Sequence, residues 1–173
     1  MRRFGDVFKS KRGSFSLEAV ISMTFVLFLI WLGVGYYTYM TLQQVLTQEV
    51  HTLATTAKLQ GGLTEQDVER FKDRLVDKGH VPADRRDEIA VIAIAEDEYG
   101  NEKNVLGVLP LSEGYSDDPN AYSHRGSKEI ITVTARIPAK VNVLRAMLRF
   151  WDTDIKEGME YYVFQETVMS ERW

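Results

Sequence analysis

The segment Lys11-Arg12-Gly13-Ser14-Phe15-Ser16-Leu17-Glu18 leads directly into residues 19–40, which read AVISMTFVLFLIWLGVGYYTYM and carry no charge. A helix needs about 20 mostly apolar residues to cross the hydrocarbon core of a bilayer, and residues 19–40 supply that length. Glu18 therefore lies at the start of a predicted membrane-spanning helix, at the edge of the hydrocarbon core. A carboxylate in that position is costly unless a positive charge pairs with it, so its presence needs an explanation.

Two other interpretations of the apolar stretch fit less well. A buried helix of a soluble domain rarely runs this long without a charge. A cleaved secretory signal has an apolar core of about 7–15 residues followed by a small-x-small site, whereas Tyr36-Tyr37-Thr38-Tyr39-Met40 has the wrong residues for such a cut. We therefore expect the segment to stay in the protein as a single-pass anchor.

The distribution of charge predicts the orientation of this anchor. Residues 1–13 carry a net charge of +4. Because the whole chain has a net charge of −4, the remaining residues carry −8. A basic leader before an apolar span places the N-terminus in the cytoplasm and the acidic bulk across the membrane. The acidic bulk also argues against nucleic acid as a partner. The chain has no cysteine, which excludes disulfides, thiol catalysis and cysteine-ligated metals.

The helix is predicted to continue past the membrane. Between residues 41 and 60, apolar side chains recur at steps of three and four residues, and Gly61-Gly62 then supplies a stop. A continuous helix over about residues 16–60 would be about 65 Å long. Its first half would lie in lipid and its second half would form a stalk for the rest of the chain.

The remaining residues predict a small head. Thr64 caps a helix through Lys78, and strands are predicted at residues 89–95, 105–109, 129–137 and 160–169, with a helix at 141–151. The fold class is α+β: a long N-terminal helix packed by a small antiparallel sheet of three to four strands with short helices. The predicted organisation is a leader at 1–13, a membrane and stalk helix at 14–60, and an extracytoplasmic head at 61–173.

Candidates for catalysis are few. The three histidines are scattered, and no phosphate-binding loop, nucleophile elbow or zinc-protease motif is present. Asp117, Asp118 and Asn120 could hold calcium weakly, but the spacing and bidentate acid of an EF-hand loop are missing, which favours a solvated loop. We expect no enzyme activity, no cofactor and no bound metal.

A basic leader, then Gly13, then Ser14-Phe15-Ser16-Leu17-Glu18 and an apolar helix resembles the class III signal of type IV prepilin-like proteins. The segment is most similar to the minor pseudopilins of tight-adherence (Flp-type) pilus systems, the TadE-like family. The resemblance covers residues 9–35 specifically. It is looser over the head, where the last strand ends near Val168-Met169-Ser170-Glu171.

The resemblance implies a role for each residue of the junction. A prepilin peptidase would recognise Lys11 and Arg12 and cut after Gly13, leaving Ser14 as a new, methylated N-terminus. Glu18 would neutralise the terminal ammonium of a neighbouring subunit, with Phe15 and Leu17 in the same assembly contact. Physically, opposite charges in a low dielectric attract strongly, and pairing removes the cost of leaving either alone.

Two departures from the family pattern favour a minor subunit over a major one. The apolar segment has no proline, and Phe15 is the second residue after the cut rather than the first. The implied function is a structural subunit that other pilin-like subunits and an assembly platform bring from the membrane into a surface pilus. The alternative is an unprocessed single-pass protein whose acidic head binds an envelope partner.

Overall fold

The computed structural model describes residues 11–114, 116, 118, 121–139 and 161–173, with side chains from residue 17 onward. Helix α1 spans Lys11–Gln60, which at 1.5 Å per residue makes a rod about 75 Å long. The helix ends at Gln60 and is followed by Gly61, whose φ of 72° suits a residue without a side chain. An added Cβ there would lie 2.2 Å from the carbonyl oxygen of Ser123. The predicted continuous helix is confirmed.

Helix α2 spans Glu65–Asp77 and begins with a complete capping box. The Thr64 side chain accepts a hydrogen bond from the Asp67 amide (3.1 Å), and the Asp67 carboxylate accepts one from the Thr64 amide (3.2 Å). Val68, Phe71 and Leu75 form its buried face. The cap, the helix and the apolar face agree with the sequence prediction.

Four antiparallel strands form one sheet in the order β2-β1-β3-β4. The strands are β1 (Ala90–Glu96), β2 (Glu102–Asn104), β3 (Ile130–Pro138) and β4 (Tyr161–Met169). Strand β3 lies in the middle and pairs along its whole length with β4, from Ile130 opposite Met169 to Pro138 opposite Tyr161. Alternation along β3 places Ile131, Val133, Ala135 and Ile137 on one buried face, as the sequence predicted.

That buried face packs on the second half of α1. The buried residues of α1 recur at helical spacing, and they are Leu46, Val50, Leu53, Ala54 and Ala57. Strands β3 and β4 supply most of the contacts with α1, and α2 flanks the same helix. The α+β layout of a long helix carrying a four-stranded sheet is therefore present as predicted.

The position of β2 corrects one prediction. Residues 105–109 were expected to form a strand because they are mostly apolar, but the paired residues are Glu102–Asn104. Asp97 sets the turn before them, because its Oδ1 accepts from the amides of Tyr99 (2.9 Å) and Asn101 (2.8 Å). Val105 and Val108 are instead buried in a loop against Leu63. The predicted helix at 141–151 lies outside the described residues.

Candidate functional site

The junction that the sequence singles out lies within α1. The backbone is helical from Lys11 onward, so the bond between Gly13 and Ser14 is part of the helix. The side chains of Lys11, Arg12, Ser14 and Phe15 lie outside the described set, and these residues are placed by backbone alone. Ser14 and Glu18 are four residues apart and therefore share one face of the helix. Leu17 and Glu18 are both exposed to solvent.

The apolar segment after Glu18 is exposed around its whole circumference. Every residue from 17 to 31 is exposed, including bulky side chains such as Phe25 (60%) and Leu29 (49%). A helix that is apolar on all sides is stable in water only when something covers it. None of the described residues of the head does so. By length and composition, this helix is able to cross a membrane.

Polar groups in the segment are satisfied within the helix. The hydroxyl of Thr24 donates to the carbonyl of Val20 and that of Thr38 to the carbonyl of Val34, each at 2.8 Å. Such bonds remove the cost of placing a hydroxyl in hydrocarbon. Beyond the backbone of the helix itself, a Cβ added at Gly33 would meet no described atom within 4 Å, so this surface is open to lipid or to another helix.

Glu49 ties the stalk to α2. It is nearly buried, and its carboxylate accepts hydrogen bonds from Lys78 and from Arg74 (3.4 Å to Nε). Burial acts to raise the pKa of Glu49, but the hydrogen bonds and charges of Lys78 and Arg74 outweigh it and hold the pKa below its ordinary value. Sequence reasoning missed this residue. The available signal was that Glu49 is the only Asp, Glu, Lys or Arg between Glu18 and Lys58.

Arg172 fixes the C-terminal part of the head to the end of the stalk. Its side chain is buried, and the guanidinium donates to the carbonyls of Gln60 (3.0 Å), Leu109 (2.6 Å) and Gly114 (2.6 Å). The same guanidinium lies 3.5 Å from the ring centroid of Tyr122. Beside it, Lys58 and Glu171 form an ion pair at 2.8 Å. The head is thus attached to the stalk at Glu49 and again near the end of α1, and the head and the stalk should move together.

The other polar residues considered for a catalytic or metal site are the histidines and the acidic loop residues, and those that the structure describes do not cluster. His51 contacts Glu166 of β4, whereas the ring of His124 lies 4.2 Å from that of Tyr122. Burial is the main cause of a lowered pKa at His124. Among the described residues no cluster of three metal-ligating side chains occurs. Of the loop residues considered for calcium, Asp118 is described, while Asp117 and Asn120 lie outside the described residues.

Comparison with known proteins found no match. No family model matches the sequence, no curated protein matches it, and no solved structure matches the fold.

Proposed function

We propose that the chain is a minor pilin-like subunit, processed after Gly13 and assembled through its N-terminal helix into a type IV or Flp-type pilus or a related surface apparatus. The observation that supports this most strongly is the contrast within α1. The first half of α1 is apolar and exposed on every side, whereas the second half packs against the folded head. Such a helix suits both lipid and a bundle of identical helices, which offer it similar surroundings.

Cleavage after Gly13 would make transfer out of the membrane possible. The leader carries five basic residues, and each would cost roughly 2.5–3.5 kcal/mol at the centre of the bilayer. Removing them with a peptidase leaves only the new ammonium at Ser14 and the carboxylate of Glu18 as charges on residues 14–40 of the processed helix. Pairing Glu18 with the ammonium of a neighbouring subunit would then cancel both charges inside the bundle.

A second candidate function is supported by the face of the sheet that turns away from α1. It exposes Ile92 (52%), Ile130 (48%) and Val163 (65%). Ile130 and the exposed Met169 lie opposite each other on paired strands, and neighbouring apolar side chains on an open face are typical of surfaces that bind a protein partner. An unprocessed anchor whose head binds an envelope partner through this face would need neither cleavage nor polymerisation.

Substitution of Gly13 separates the two candidates. In a host that carries the matching peptidase, we expect wild-type protein recovered from membranes to begin at Ser14, and Gly13→Leu to keep its leader, as measured by intact mass. Gly33→Leu is the control, because it adds the same bulk to an open position of the same helix. If wild type and Gly13→Leu both keep Met1, the pilin proposal is wrong.

Substitution of Glu18 tests the pairing role independently. Glu18→Gln keeps the volume and hydrogen bonding of the side chain but removes its charge. We expect normal cleavage and a large loss of subunit from sheared surface fibres. Ser22→Ala, one turn further along the same face, should assemble at the wild-type level. Normal incorporation of Glu18→Gln would contradict the pairing role while leaving cleavage in place.

A further inference from the structure

The sheet lies alongside the stalk with a defined polarity. At one end, the ring of Tyr162 lies 6.2 Å from the ring of Tyr39 on α1. At the other end, the amide of Glu171 donates to the carbonyl of Lys58 (2.8 Å). We call the end at Tyr162 the lower end of the head, because it is nearest the apolar segment, and the end at Glu171 the upper end.

The depth of the lower end follows from bilayer dimensions. A hydrocarbon core of about 30 Å is filled by about 20 helical residues, so residues 19–38 occupy it. The headgroup layer beyond it is about 5–7 Å thick and takes roughly the next five residues. Tyr39 falls in that layer, and its hydroxyl accepts a hydrogen bond from Gln43 Nε2 at 2.8 Å. Because Tyr162 contacts Tyr39, the lower end of the sheet reaches the same depth.

The side chains at the lower end have the chemistry of a membrane interface. Arg136 is exposed, and its guanidinium lies 3.9 Å from the ring centroid of Tyr161. The Tyr161 hydroxyl donates to Glu88 at 2.9 Å. Aromatic rings with a polar tip and exposed arginines are typical of the headgroup region. Arg136 forms no salt bridge with any described residue, although its charge acts on the nearby Glu88 and helps to lower the pKa of that carboxyl. Its exposed guanidinium can therefore still donate hydrogen bonds to a phosphate.

Other charged groups at this end decide which lipids fit. Arg85, which donates to the carbonyl of Ala139 (3.2 Å), is paired with Glu88 at 2.6 Å. Asp84 and Asp87 are exposed on the same short segment. Among the described residues at this end, the acids offset the basic residues, so they provide no excess positive charge to attract anionic lipid. This described part of the surface suits the phosphates of zwitterionic lipids.

We propose that the lower end of the head lies in the headgroup layer of the outer leaflet and that Arg136 binds lipid phosphate there, beside Tyr161. The head would then stand on the membrane with the open face of the sheet perpendicular to it. This inference rests on α1 crossing the bilayer, but not on cleavage or assembly.

Because the chain has no cysteine, single labels can measure depth in the full-length protein. Val163 and Met169 are exposed residues on the same face of β4, and six residues at about 3.4 Å each place them about 20 Å apart. We expect a fluorophore at Val163→Cys, in phosphatidylcholine vesicles containing headgroup nitroxide lipid, to be quenched several-fold more than one at Met169→Cys. Val26→Cys, with an acyl-chain nitroxide, reports whether α1 is in the bilayer.

Arg136→Glu should lower the quenching at position 163 toward the value at position 169. Arg125→Glu is the matched control, because Arg125 lies over the ring of Trp173 (4.5 Å) at the upper end and should leave the quenching unchanged. Equal quenching at positions 163 and 169, with position 26 quenched, would overturn the headgroup contact alone. Absence of quenching at position 26 would overturn the membrane anchor and this inference together.

Discussion

Arg172 is a buried cation whose hydrogen bonds go to backbone carbonyls. Those carbonyls come from the end of α1 and from the loop after β2, so one side chain joins parts of the chain that are distant in sequence. A planar guanidinium can donate in several directions at once, which an ammonium cannot match. The carbonyl of Gln60 also lies at the negative end of the α1 dipole, which favours a positive charge there.

We expect Arg172→Met to lower the free energy of unfolding by about 3 kcal/mol, because it leaves buried carbonyls without donors. Arg172→Lys should recover only part of this loss. Urea unfolding of the detergent-solubilised chain, followed by circular dichroism, measures the change. Arg125→Met removes an exposed arginine that also stacks on an aromatic ring, and should cost less than about 1 kcal/mol. Equal losses for Arg125→Met and Arg172→Met would contradict the role given to Arg172.

The sequence could predict the positions and roles of some single residues but not the contacts of others. The position of Glu18 beside an apolar span follows from neighbours in the sequence, and the capping role of Thr64 depends on a residue three positions later. The carbonyl partners of the Arg172 guanidinium lie 58 or more residues away, so no local pattern could indicate them. Long-range hydrogen bonds to backbone carbonyls carry no signature in residue type, because every residue has a carbonyl.

At the scale of elements, the sequence predicted β1 and the described part of the last strand from runs of apolar, aromatic and β-branched residues. Periodicity predicted the second half of α1, α2 and β3, each of which buries a single face. The prediction failed at β2, because the paired residues Glu102–Asn104 are polar and the apolar residues after them are buried in a loop. A short edge strand gains its order from the turn before it and from its neighbour, and neither contribution requires apolar side chains.

The junction between α1 and α2 should depend on pH through Glu49. Its pKa is lowered from 4.5 in the folded protein, so the pairing stabilises the fold above pH 4.5 and is lost as pH falls through the lower, folded pKa. We expect Glu49→Gln to lower stability at pH 7 by about 1 kcal/mol. The difference from wild type should shrink as the pH falls below 4.5. Thermal unfolding at pH 7 and at pH 3 measures both.

Glu171→Gln provides the control for the Glu49 prediction, because Glu171 pairs with Lys58 but is about half exposed (49%). Exposed pairs contribute little, so this variant should resemble wild type at both pH values. Glu69, Glu88 and Asp97 also have lowered pKa values, which means that some loss of stability in acid will remain in Glu49→Gln. A stability difference between Glu49→Gln and wild type that does not change with pH would contradict the proposed pairing.

At the scale of the whole molecule, α1 has two halves with different tasks. The second half is part of the hydrophobic core, with Leu46, Val50 and Leu53 almost completely buried. The first half makes no contribution to that core among the described residues. The fold of the head should therefore be indifferent to changes in the apolar segment, while membrane insertion should be sensitive to them.

Leu29→Lys tests this division, because Leu29 lies near the middle of residues 19–40 and is exposed. A lysine at the centre of a spanning helix costs about 3 kcal/mol of insertion free energy, equivalent to roughly a hundredfold in the insertion equilibrium. We expect a large fall in the fraction of protein that resists alkaline extraction from membranes. The unfolding temperature of the head, measured in detergent, should stay at the wild-type value.

Thr52→Lys is the matched control for Leu29→Lys, since Thr52 is exposed on the stalk and its hydroxyl bonds only to the carbonyl of Gln48 (3.0 Å) among the described residues. It adds the same charge beyond the membrane and should change neither insertion nor the unfolding temperature. If Leu29→Lys lowered the unfolding temperature of the head, the apolar segment would have to pack within the fold. That result would remove the reason for assigning the segment to lipid or to a helical bundle, and the pilin proposal would lose its main support.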